Sequence, residues 1–66
     1  FMVDEASEVT GQPLMNLDLK KNLLVACIYR NGIAKIPSGQ DNIQVGDTVI
    51  IVTTHTGFDK LTDILA

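Results

Sequence analysis

Ile36-Pro37-Ser38-Gly39-Gln40-Asp41-Asn42-Ile43-Gln44-Val45-Gly46-Asp47 is the stretch that decides the fold, because it closes one β-strand and delivers the chain into another. Pro37 has no N–H to offer a sheet ladder, so a strand ends there. Gly39 and Gly46 are read as supplying the positive φ of a tight reversal, and Asp47 as bonding its own downstream amides. The run Thr48 to Thr53 that follows is rich in β-branched residues and predicts a strand.

Upstream of this stretch, Leu23 to Arg30 is apolar on both alternating faces until its last residue, the pattern of a central strand covered on both sides. Asn31-Gly32 then predicts a two-residue hairpin turn, with Ile33 to Ile36 returning antiparallel. Such a turn sets Arg30 opposite Ile33, Tyr29 opposite Ala34, Ile28 opposite Lys35 and Cys27 opposite Ile36. One face then carries Leu24, Ala26, Ile28 and Arg30 with Ile33 and Lys35. The other carries Leu23, Val25, Cys27 and Tyr29 with Ala34 and Ile36, and reads as the core face.

At the chain ends, Phe1 to Val3 reads as a further strand, and Pro13 as the first turn of a short helix with Leu14 and Leu17 facing inward. Thr56 and Asp59 form a weak capping box, and Phe58, Leu61, Ile64 and Leu65 share one helical stripe, which predicts a C-terminal helix. The expected class is α+β: a small antiparallel sheet of about four strands, a short N-terminal helix, and one C-terminal helix packed on the sheet.

A 66-residue chain is one domain, residues 1–66, and buries only about 60% of the surface its unfolded form exposes. Domains of this size commonly add a disulfide, a metal or a partner subunit. Cys27 is the single cysteine and His55 the single histidine, while 45% of residues are hydrophobic, so a homodimer is expected. The opening residues read as strand without an initiating Met, so the chain is expected to be part of a longer one.

The formal charge of −3, with five Lys and Arg, argues against a nucleic-acid partner, whose phosphates demand dense basic surface. No run approaches the roughly 20 apolar residues needed to cross a bilayer, and no signal peptide is expected. One unpaired thiol suits a reducing compartment, which makes cytoplasmic residence the expectation.

Catalytic chemistry finds little support. Cys27 sits in an apolar strand that would suppress its reactivity, His55 at a strand–helix junction, and Ser7 and Ser38 in loops without an activating partner. Asp4, Glu5 and Glu8 lack the spacing of a calcium loop, and Gly39 and Gly46 form no phosphate-binding motif. No enzyme, metal or resident cofactor is therefore expected. Arg30 and Lys35, however, share a face with Ile28 and Ile33 between them and the Asn31 and Gly32 amides close by. Two cations framing aliphatic side chains suit an anionic ligand with a flat apolar part, such as a nucleotide; the alternative is basic side chains that merely cover apolar surface.

Val9-Thr10-Gly11-Gln12-Pro13-Leu14 with Leu17 and Leu19, Ile28-Tyr29-Arg30-Asn31-Gly32, Ile36-Pro37, and Ile43-Gln44-Val45-Gly46-Asp47 before Val49-Ile50-Ile51-Val52 occur in that order. In this order and spacing the chain resembles the C-terminal domain of TrkA-type potassium-uptake regulators, the RCK C-terminal domain. The resemblance implies a regulatory module that follows a nucleotide-binding domain, dimerises, and serves a potassium channel or transporter at the inner face of the membrane. It also implies a regulator bound in the dimer cleft, cyclic di-AMP being one class. Carried onto this sequence, that ligand falls on Arg30 for phosphate, Ile33 and Ile36 for the base, and Asn31 and Pro37 at the cleft edge. Lys35 is added from its place beside Arg30.

Two other classes share the Gly-Asp turn. A lipoyl- or biotinyl-type carrier needs a lysine at a tight hairpin tip, and Asn31-Gly32 has none. A small nucleic-acid-binding barrel is opposed by the net acidity and by only three aromatic residues.

Overall fold

Asn31 and Gly32 take φ of +52° and +79°, the left-handed pair that a two-residue hairpin turn requires. The computed structural model describes residues 1–66. The hairpin joins β1 (Leu23–Arg30) to β2 (Ile33–Lys35), and β1 also pairs antiparallel with β3 (Thr48–Thr53), giving the order β2-β1-β3. The β1–β2 register is Ile28 to Lys35, Tyr29 to Ala34 and Arg30 to Ile33, as the turn dictates.

The sheet has three strands, not four. The N-terminal segment contributes one antiparallel bridge, Met2 to Thr48, with Phe1 and Val49 exchanging backbone hydrogen bonds beside it. Val3 then donates to the Asp47 carbonyl at 2.8 Å and accepts from Gly46 at 2.7 Å.

Neither expected α-helix forms. Leu14–Asn16 is a single 3-10 turn, because Leu17 returns to extended backbone and Leu19 pairs with Leu65. At the other end, Gly57 has φ of +80°, a left-handed conformation that stops a helix starting from Thr56. Asp63 draws the Asp59 and Lys60 amides onto its carboxylate at 2.8 and 3.0 Å, so the turn begins late and spans only Leu61–Ile64. Four residues cannot offset the cost of helix nucleation.

The core face also differs from the expected one. A β-bulge between Val25 and Cys27 inserts Ala26 into β1, so Val25 and Ile28 come to point to the same side. Those two join Val3, Val9, Leu14, Ile43, Val49 and Ile64 in the buried core. Beyond the bulge the outward side carries Tyr29 with Ala34, and Leu24, Ile50 and Val52 complete an apolar face that no other element covers. β1 is therefore central, as its sequence implies, yet layered on one side alone. The stripe Phe58, Leu61, Ile64 and Leu65 still packs inward without a helix to carry it.

No helix is long and apolar enough to cross a membrane.

Candidate functional site

The decisive loop is built from two turns, each closed by an aspartate. In the first, Ser38 donates its N–H to Asp41 Oδ2 at 2.7 Å and its hydroxyl to the same oxygen, while Asp41 donates back to the Ser38 carbonyl. In the second, Gln44 donates its N–H to Asp47 Oδ2 at 2.9 Å and Asp47 donates to the Gln44 carbonyl. Asp47 thus closes the turn on its upstream side, not through downstream amides. Only Gly46, at φ +97°, has positive φ in this stretch. Gly39 serves close approach instead: a Cβ there would stand 3.2 Å from Met15 Cβ.

Each aspartate also takes one of the two hairpin cations. Arg30 donates Nε to Asp47 Oδ1 at 2.8 Å and Nη2 to Oδ2 at 2.7 Å, a two-pronged pair, and Nη2 also reaches the Asn42 carbonyl at 2.9 Å. The Asp47 side chain is 1% exposed, the Arg30 side chain 36%. The Arg30 hydrogen bonds hold the Asp47 carboxyl below the usual range against the opposing effect of burial, and Asp47 in turn raises Arg30. Lys35 donates Nζ to Asp41 Oδ1 at 2.6 Å in a far more exposed setting, and this bond, followed by the Ser38 amide, lowers the Asp41 carboxyl.

Between these pairs lies an open pocket of about 230 Å³, lined by Ile28, Arg30, Asn31, Ile33, Lys35, Asp41 and Asn42. Of the six residues singled out in the sequence, Arg30, Asn31, Ile33 and Lys35 meet in it. Ile36, 86% exposed, and Pro37 lie outside; Pro37 borders a separate groove with Leu14, Met15 and Leu24. Asp41 and Asn42 are pocket residues that the strand reading passed over. The signal available was Asp41 three residues after Ser38, a turn-closing spacing that points a carboxylate back at Lys35.

The other candidates lie elsewhere. Cys27 is half-buried in β1. His55 stacks on Phe58 at 5.9 Å between ring centres, and its Nε2 lies 2.7 Å from the Lys21 carbonyl. Lys20 lies over the same Phe58 ring and donates to the Asp63 and Leu65 carbonyls, so this cluster fastens the C-terminal segment to the sheet. No group of three or more His, Cys, Asp or Glu comes together as a metal centre.

The sequence of the chain has counterparts among known proteins. Residues 1–66 match the sequence profile of the TrkA-C domain, and the chain belongs to that family. It is 37% identical over 61 residues to the Trk system potassium uptake protein TrkA homolog of Archaeoglobus fulgidus, covering 92% of this chain and 14% of that protein. It is 33% identical over 66 residues to a TrkA homolog of Pyrococcus horikoshii, covering 98% of this chain and 29% of that protein. With TrkA of Azorhizobium caulinodans the identity is 34% over 47 residues, covering 71% of this chain and 10% of that protein. The chain spans less than a third of the length of each of these relatives.

Proposed function

We propose that this chain is a non-catalytic regulatory module of a potassium uptake or channel system, which binds a small anionic effector and works as a homodimer. Membership of the TrkA-C family and the names of the relatives support the potassium-transport setting. The membrane transporter or channel subunit would be engaged through a longer protein at the cytoplasmic face.

The observation that carries the effector reading is the pocket at the hairpin. Ile33, 69% exposed, offers aliphatic surface to a base above the buried Ile28, and Arg30 is held in place by Asp47 with its Nη1 left without a protein partner. A guanidinium already fixed in position loses little freedom on meeting a phosphate. Lys35 supplies the second cation and Asn31 a polar edge. A cyclic dinucleotide such as cyclic di-AMP has the required phosphates and flat bases. Ile36 and Pro37 lie outside this pocket, so the effector reading rests on Arg30, Asn31, Ile33 and Lys35.

The second copy would cover the apolar sheet face of Leu24, Tyr29, Ile50 and Val52, which pairs with itself across a two-fold axis. The hairpin then has the effector on one side and the partner on the other. A ligand that binds the dimer better than the monomer stabilises it by that difference in affinity, and an attached transporter would read the shift.

Calorimetric titration of cyclic di-AMP and common nucleotides into the chain tests the reading. Saturable heat, weakened in Lys35→Ala, is expected; no heat from any of them at millimolar concentration overturns it.

A further inference from the structure

Arg30 and Lys35 are held in different ways. Asp47 is almost wholly buried and receives three hydrogen bonds, so Arg30 cannot leave it without stranding a buried carboxylate. Asp41 is the reverse case. Its Oδ2 is committed to the Ser38 N–H and hydroxyl, but Oδ1 holds only Lys35, whose side chain is 59% exposed. The Asp41 carboxylate itself lines the pocket. It takes one of the donors on Lys35 that the anionic group of a ligand could use.

We propose that Asp41 is a built-in competitor for the effector: it holds Lys35 and sets the selectivity of the site by favouring anions that can draw that lysine away from a carboxylate. This inference rests on the effector reading above and deepens it. The exchange is permitted because Ser38 keeps Asp41 anchored after Lys35 departs, so the loop does not have to unfold. A neutral acceptor gains less from Lys35 than an anion does, and a weakly binding anion competes poorly with a carboxylate already in place.

The exchange has a route to the rest of the fold. The carbonyls of Gly39 and Asp41 accept the Met15 and Leu14 N–H groups at 2.9 Å each, so the Ser38–Asp41 turn carries the first 3-10 turn on its back. A displacement of that turn's backbone would therefore be passed to the segment that bears Leu14, a core residue.

The test is a double-mutant cycle read by calorimetric affinity for cyclic di-AMP. Asn at position 41 retains a carbonyl oxygen for the Ser38 amide but not the charge that holds Lys35. Asp41→Asn is expected to tighten binding roughly threefold to fivefold, the scale of an exposed ion pair, and Lys35→Gln to weaken it. In the Lys35→Gln background the Asp41→Asn gain should vanish. Failure of Asp41→Asn to tighten binding overturns the proposal, as does an equal gain with and without Lys35, which would mean simple repulsion of the ligand. Should Asp41→Asn fold poorly, the carbon-13 resonance of the Asp41 carboxylate in the unaltered chain decides: it must shift on saturation, and a static resonance overturns the exchange. Absence of binding by both the unaltered chain and Asp41→Asn would remove the effector reading itself; binding by the unaltered chain without tightening would remove only the competitor.

Discussion

Arg30, the last residue of β1, grips both carboxylate oxygens of Asp47, the residue immediately before β3, at 2.8 and 2.7 Å. The pair fixes the angle at which the loop re-enters the sheet. Because Asp47 is buried and Arg30 is not, removal of the two partners has unequal consequences.

Asp47→Ala leaves the Gln44 amide and Arg30 Nε without acceptors, while Nη2 keeps the Asn42 carbonyl. Its expected cost is about 1–3 kcal/mol, with water reaching Arg30 limiting the penalty. At roughly 4–8 °C per kcal/mol for a domain of this size, a thermal melt resolves it readily. Arg30→Lys keeps the charge but loses the two-pronged geometry, so its melting temperature should fall between those of the unaltered chain and Asp47→Ala.

Acid should weaken the fold through three carboxylates. Asp47 is lowered mainly by Arg30, Asp41 mainly by Lys35, and Asp63 by the Lys60 and Asp59 amides. A carboxyl lowered in the folded state binds fewer protons than in the unfolded one, whose value is about 3.9. Its stabilisation is therefore complete above that value and drains away as pH falls through the lowered one. Urea midpoints should stay level from neutrality to about pH 5 and drop steeply below about pH 4. Asp63→Asn should make that drop shallower, and an unchanged drop would count against its part.

How much of this could be read in advance follows from where local and tertiary forces agree. β1, the hairpin turn and β3 were legible because Asn31-Gly32 and the β-branched run each admit one conformation. The helices were not, because Gly57 and Asp63 act on backbone geometry that a hydrophobic stripe does not report. The core face was misassigned because one inserted residue, Ala26, reverses the alternation, and the pattern Leu23 to Ile28 is apolar on both sides of that reversal. At the site, the register brought Arg30, Asn31, Ile33 and Lys35 together. Their aspartate partners come from a loop whose path depends on the whole fold.

Gly46 has the highest φ of the chain, +97°, with open space around a built Cβ. Gly46→Ala therefore tests backbone strain alone and should cost about 1–2 kcal/mol. Urea denaturation checks this: a lower midpoint with an unchanged slope is the expected result.

Ile50 projects from the uncovered sheet face and is 51% exposed. Ile50→Asp should leave the far-ultraviolet circular dichroism intact while abolishing, in light scattering, the self-association proposed above. Ile43→Ala, in the core with no exposed surface, should do the opposite by lowering stability about 2–5 kcal/mol.

The central claim is that a pocket on one side of the hairpin and a partner surface on the other are energetically linked. Sedimentation equilibrium of the unaltered chain with and without cyclic di-AMP tests it most directly. The account predicts a dimer at micromolar concentration whose dissociation constant falls when the ligand is added; a folded monomer at every concentration, indifferent to the ligand, would contradict it.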